Sequence, residues 1–376
     1  MKKIIRQSAE VSNLELFYDL IFAYAISKIT TVLHVVHEEH IPLLNLAEFL
    51  MMFFVFWTVW TYQTVYANRF FTNNILNTAF MIFDMFWVII LSQSLTTNFA
   101  STHVTFAGST SILLLSIGLQ YVVQGMRLEH KHQRLLAMEL AGLLFICGIT
   151  GAITIIPFTS YLNRFFIYLV SFIVANVVPI FMKETLQNFP AKFEHLTERY
   201  SLFTLLLFGE SIIAVATSIN VHHLELVSVW YFLITVILFG FYMMTYDLGI
   251  NRKLPHTAGI TLINVHYFIF VGLDLVTAVI ELFSQGELAG FQTILLTTLG
   301  LLGFLGGLQV VIFTYPLNQN NLKQMFVNDV VMLAIWLIGA VFAVHIINVF
   351  LIWTTVMLGI GLFIWWRQLL NSKMYE

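Results

Sequence analysis

Val11-Ser-Asn-Leu-Glu-Leu-Phe-Tyr-Asp-Leu-Ile-Phe-Ala-Tyr-Ala-Ile-Ser-Lys28 is the stretch whose reading decides the fold. By hydropathy it is a membrane span, yet Glu15 and Asp19 stand inside it. An ionised carboxylate at membrane depth is costly enough that it must face a protein interior or a wet cavity. Each such residue is therefore a site candidate. Gly209-Glu210-Ser211 poses the same problem in the second half of the chain.

Composition makes the membrane assignment general. The chain is 59% hydrophobic and 10% charged, against roughly 45–50% and about 25% in soluble domains. Crossing the hydrocarbon core takes about 20 apolar residues. About 12 such runs occur, near 12–36, 44–66, 75–95, 104–124, 135–157, 162–183, 198–220, 228–250, 259–283, 289–313, 325–344 and 348–369.

Lys and Arg collect in cytoplasmic loops, which tests that count independently. Lys2, Lys3, Arg6, Arg69, Arg127, Lys131, Arg134, Lys183, Lys192, Arg199, Arg252, Lys253, Lys323, Arg367 and Lys373 all fall on the N-terminal side of a 12-span arrangement. Of the 17 cations only Arg164 and Lys28 do not, so both termini are expected in the cytoplasm of a multi-pass cell-membrane protein. Topology partitions the net charge of −3, which therefore carries no message about partners. No nucleic-acid reading survives. The basic N-terminus precedes an apolar segment that is too long for a signal peptide and lacks a small-residue cleavage site. Cys147 stands alone, which excludes an intrachain disulfide and cysteine metal motifs.

The halves echo each other. With Asp19 set over Glu210, Phe17 falls on Phe208, Ala23 on Ala214, Ala25 on Ala216 and Ser27 on Ser218. Thr61-Tyr62 through Asn68-Arg69 matches Thr245-Tyr246 through Asn251-Arg252 with one residue of slippage, and Asp84 and Asp274 sit near the middles of the third and ninth spans. The expected fold is an all-α integral membrane protein of two parallel six-helix repeats, 1–190 and 191–376. An even span number inserts both the same way up, related by an axis along the membrane normal. On that frame Asp19 and Glu210 are expected to meet near the axis and share a proton.

Val11-Ser-Asn-Leu-Glu-Leu-Phe-Tyr-Asp-Leu-Ile-Phe22 resembles the opening of the bacterial low temperature requirement A family, as does Tyr66-Ala-Asn-Arg-Phe70 at the end of the second span. His195-Leu-Thr-Glu-Arg-Tyr-Ser-Leu-Phe-Thr-Leu-Leu-Leu-Phe-Gly-Glu-Ser-Ile212 is similar to its central signature, with weaker likeness at Tyr246-Asp247 and His266. The resemblance implies a multi-helix bacterial membrane protein named for growth in the cold, with no established substrate or reaction. Asp84 and Asp274 match nothing in that pattern and stand on position alone.

Each candidate has a structural and a functional reading. Ser12 and Glu15 form a capping box, which accounts for Glu15 without any chemistry. Asp19 lies one turn deeper on the same face, where capping cannot reach. Glu210, placed about halfway along its span, is either a helix-packing hydrogen bond or, with Asp19 and Glu15, a proton- or cation-coupling carboxylate. Asp84, Asp274, His266 and Lys28 are assigned to a substrate path, with His266 read as the one histidine well inside a span and Lys28 as the one intramembrane cation. Their structural readings are an interhelical hydrogen bond for His266 and a snorkelling or neutralising cation for Lys28. Asn68, Arg69, Asn251 and Arg252 are cytoplasmic anchors or a gate. His34, His37 and His40 beside Glu38, and His222 and His223 beside Glu225, would suit Zn, Ni, Mn or Fe ions, although short polar loops often hold histidine. No cofactor box is present.

Two functions follow. One is a secondary transporter of a small solute, driven by protons or cations through the intramembrane carboxylates. The other is an ion channel or membrane sensor gated by the same residues. No nucleophile–base pair points to an enzyme, and the loop after the second span lacks the Gly-x-x-x-Asp-Arg pattern of major facilitator transporters. The expected partners are the lipid bilayer and a small solute or ion; the chain is also compatible with a homo-oligomer.

Overall fold

The computed structural model describes residues 10–72, 74–96, 99–219, 221–222, 225–318 and 322–373. Among them the chain is helical throughout, with no strand beyond two isolated bridges, His37 to His40 and Ile250 to Pro316. The helices are α1 Asn13–Thr30, α2 Leu43–Arg69, α3 Ile75–Gln93, α4 Phe99–Gly125, α5 Lys131–Thr154, α6 Tyr161–Phe181, α7 Lys183–Asn188, α8 Phe193–Thr217, α9 Leu226–Met244, α10 Ile260–Ser284, α11 Gly290–Thr314, α12 Leu322–Ala343 and α13 Ile347–Lys373. All but the short α7 are long and apolar enough to cross a membrane, which gives 12 spans among the described residues. The expected break between the last two falls between Ala343 and Ile347.

Helix starts follow the local chemistry. Ser12 accepts from the Glu15 amide at 3.3 Å while Glu15 accepts from the Ser12 amide at 2.9 Å, so two orphan donors are satisfied reciprocally. Asn74 caps α3 through the Asn77 amide at 2.9 Å. At the end of α10, Gly286 takes φ +75 and the Glu287 amide reaches the Leu282 carbonyl, which closes the helix with a left-handed turn. The Ser12 cap sits at the mouth of the site described below. Ser12→Ala is expected to cost about 0.5–2 kcal/mol, read as a lowered unfolding midpoint in detergent.

The chain divides into two compact units that interleave in sequence. The first comprises 1–32, 46–203 and 253–260; the second comprises 33–45, 204–252 and 261–376. The boundary near 190 expected from the halves is thus displaced into α8, and two loops cross over. In the first unit α4 packs on α3 and α5, α5 on α6, and α1 on α3. Gly118, Gly125 and Gly148 leave room for Phe145, Ala137 and Leu115 between α4 and α5. The outer face of α6 shows Phe166, Val170 and Ile173, the apolar exterior that lipid requires.

In the second unit α13 packs on α9 and α12, and α12 on α11. α10 is the most enclosed of the spans, and its backbone meets α11 directly. A Cβ built on Gly272 would lie 2.5 Å from the Gly300 carbonyl oxygen and 2.6 Å from the Phe304 nitrogen. One on Gly303 would lie 2.9 Å from the Phe268 oxygen. Small residues are how helices approach closely in lipid. α9 ends in a single π-type turn, Thr245–Gly249, which swings Tyr246 inward.

Candidate functional site

Arg199 organises the first unit's buried polar centre. Because α8 begins at Phe193 rather than near 198, His195 and Arg199 are helical and interior instead of lying in a cytoplasmic loop. Lys28 is therefore not the sole cation within the spans; the fully buried Arg199 is another. Its guanidinium grips Asp19 side-on, Nε to Oδ2 at 3.1 Å and Nη2 to Oδ1 at 2.8 Å, the bidentate fork that makes arginine pairs strong. Nη1 stands 3.6 Å from Oε1 of Glu15. Trp60 on α2 donates its indole N–H to Asp19 Oδ1 at 2.8 Å. The guanidinium also lies 5.6 Å from the Trp60 ring and 6.0 Å from that of Tyr18, within cation–π range.

Glu15 thus has two roles, for it caps α1 and holds the cluster. His195 Nε2 approaches its Oε1 at 3.2 Å. The other imidazole nitrogen faces Asn68, whose amide group bridges the Lys192 backbone: Nδ2 donates to the Lys192 carbonyl at 2.9 Å and Oδ1 accepts the Lys192 amide at 3.0 Å. That bridge fixes which end of Asn68 is NH2. Its second hydrogen points at His195 Nδ1, 3.1 Å away. Nδ1 is then the acceptor, and Nε2 carries the proton toward Glu15. Asn68, His195, Glu15, Arg199 and Asp19 form one chain, which sequence reasoning had scattered among an anchor, a loop and a coupling site.

Arg69 is not an outward anchor. Buried, it donates to the carbonyl oxygens of Leu186 at 3.2 Å, Phe189 and Ala258 at 2.7 Å. The first two are carbonyls at the end of α7, which lack intrahelical partners. Arg69 therefore ties the end of α2 to α7 and to the 253–260 segment.

Asp84 lies near the middle of α3, fully buried. Ser116 donates to Oδ1 at 2.5 Å and Gln120 to Oδ2 at 2.7 Å, both from α4. The Tyr18 hydroxyl is buried and has no hydrogen-bond partner among the described residues.

In the second unit Asp274 occupies the middle of α10, with Oδ2 buried and accepting no hydrogen bond among the described residues. Glu210 acts on it electrostatically. α8 starts earlier than expected, so Glu210 stands in its last third rather than at its middle. Asp19, expected to meet Glu210, is held within the first unit by Arg199 and Trp60. His266 donates Nδ1–H to the Leu262 carbonyl at 2.6 Å and accepts from Tyr246 at 2.7 Å, a satisfied interhelical hydrogen bond. It is not the single histidine within a span, because His103 in α4 and His195 in α8 are also buried. Lys28 lies over the Tyr24 ring at 5.6 Å.

At the rim Arg252 pairs with Asp247 at 2.9 Å, half-exposed, and the Asn251 amide donates to the Tyr315 carbonyl. His34 meets Glu281 at 3.3 Å. His37 and His40 pair through their backbones, and His222 is exposed while His223 lies outside the described residues. No group of three His, Cys, Asp or Glu able to hold a metal occurs among the described residues. A further carboxylate went unnoticed in the sequence: Asp329 on α12 accepts from Trp365 at 2.7 Å and from Gln309. Its position close to the start of a span made it look interfacial.

No curated protein and no solved structure matches the chain. The family model described as Bacterial low temperature requirement A protein (LtrA) matches residues 10–363. That stretch contains every member of the buried networks just described except Trp365, which lies two residues past its end. This polytopic helical membrane protein belongs to the LtrA family.

Proposed function

We propose that the chain is a proton- or cation-coupled secondary transporter of a small solute in the bacterial cell membrane. The observation that carries this reading is the guanidinium of Arg199 shared between Asp19 and Glu15. Taken in their ordinary ionised forms, two carboxylates and one guanidinium, all fully buried, leave one uncompensated negative charge. A cation or proton that neutralises one carboxylate loosens its hold on Arg199, and the arginine is then free to change partner. That is the differential contact a two-state element needs. The chain Asn68–His195–Glu15 leads to it from the ends of α2 and α8.

The charge partition supports cytoplasmic termini. Moving Arg199 into the interior leaves 14 of the 15 concordant cations on one side. Asp84 and Asp274, counterparts in the repeat alignment, are each buried midway along their spans, which supports the internal repeat.

Asp19→Asn keeps the size and the hydrogen bond from Trp60 but removes the charge. In proteoliposomes loaded with a pH-sensitive dye and screened against metals, amines, organic acids and drugs, it is expected to abolish substrate-dependent proton movement while the protein still inserts. Glu210→Gln is expected to do the same. Unchanged flux in both would remove coupling from these residues. Large non-saturating conductance in the unaltered protein would replace the transporter with a channel.

A further inference from the structure

The second unit contains a polar seam that the Arg199 cluster does not use. On α10, Asp274, Thr277 and Glu281 are spaced by three and four residues and share a face. On α8, Glu210 and Thr217 are seven residues apart and share a face, with Ser211 the next residue after Glu210. The two faces meet in rungs. Ser211 Oγ and Thr277 Oγ1 lie 3.0 Å apart, and Thr217 donates to Glu281 at 3.4 Å. Glu281 also meets His34 at 3.3 Å, where the side chains are 15% and 35% exposed. The seam therefore runs from a buried carboxylate to a half-exposed acid–imidazole pair, a rise of about 10 Å along α10.

We propose that Asp274 is a proton-binding site reached from the His34–Glu281 end of this seam. An acceptor buried without a donor among the described residues, Asp274 Oδ2, is the feature a proton satisfies. A metal cation would need several oxygens, commonly from unwound backbone. α10 is continuous through Asp274, so its carbonyls serve the helix, and the nearby hydroxyls of Ser211 and Thr277 bond each other. The ionisable groups around the route are Glu210 from α8, Glu281 and Tyr267 from α10, His34 from the turn after α1, and Tyr231 from α9, whose hydroxyl donates to the Thr277 carbonyl at 3.0 Å. Histidine and carboxylate together suit proton exchange with solvent near neutrality. The inference rests on the transport reading only for what the proton drives.

The test follows protonation rather than solute flux, so it stands or falls separately from transport. The full chain in liposomes is treated with dicyclohexylcarbodiimide, which attacks the acid form of buried carboxyls, and the labelled residue is found by mass spectrometry. Labelling at Asp274 that slows as pH rises is expected. A pH jump followed by infrared spectroscopy should show a carboxyl band that Asp274→Asn removes while circular dichroism stays unchanged. Glu281→Gln combined with His34→Gln should keep the band but slow its appearance about a hundredfold, the low end of what a positioned proton carrier contributes. No labelling at Asp274 at any pH, or a band that survives Asp274→Asn, overturns the site. An unchanged rate in the double variant overturns the route.

Discussion

Arg199→Met is expected to destabilise the protein by about 3–5 kcal/mol, the cost of breaking a buried ion pair and leaving a charge uncompensated. Here two charges are left, since Asp19 and Glu15 both lean on the one guanidinium. Methionine preserves most of the stem's volume, so the loss is electrostatic more than steric. The comparison that isolates the cause adds Asp19→Asn and Glu15→Gln to the same chain. Replacing a whole buried ion network by neutral groups of like shape is often neutral or stabilising, so the triple variant should recover most of the lost stability. Unfolding in detergent followed by tryptophan fluorescence reads both, because Trp60 touches the guanidinium and Asp19. An unaltered midpoint in Arg199→Met would mean that the carboxylates do not depend on it.

Gly272→Ala is the second large effect. The added methyl group would meet backbone atoms of α11, not the ends of flexible side chains. The helices must separate, and overpacking of this kind costs about 1–3 kcal/mol or more. Separation also loosens the neighbouring contacts of Gly300 with Val276 and of Gly307 with Ile269. A lowered thermal midpoint with intact helix content is the expected result. Ala at Gly306, where a Cβ meets nothing within 4 Å, is the control and should leave the midpoint unchanged.

The spans were legible because a run of apolar residues has no other use at that length, and the alternation of Lys and Arg checked their number. Glu15, Asp19, Asp84 and Asp274 were legible for the same reason in reverse, as charges in apolar surroundings. Arg199 and His195 were not. His195-Leu-Thr-Glu-Arg199 reads as a polar approach to a span, since hydropathy averages over a window and cannot register that a cation is neutralised by a residue far away in the chain. Arg69 and Asn68 looked like anchors at a span's end because composition does not distinguish a side chain facing headgroups from one turned onto backbone carbonyls. Asp329 was lost to the same ambiguity.

The pairing of Asp19 with Arg199 spans 180 residues, and this has a bearing on biosynthesis. At about 5–20 residues per second, the arginine emerges roughly 10–40 s after the aspartate has left the ribosome. For that interval α1 carries two carboxylates with no counter-charge from α8, a burden of up to about 2.5–3.5 kcal/mol on translocon scales, the value for an aspartate at a span's centre. The first span, the least apolar of the twelve, gains its counter-charge only when the seventh arrives.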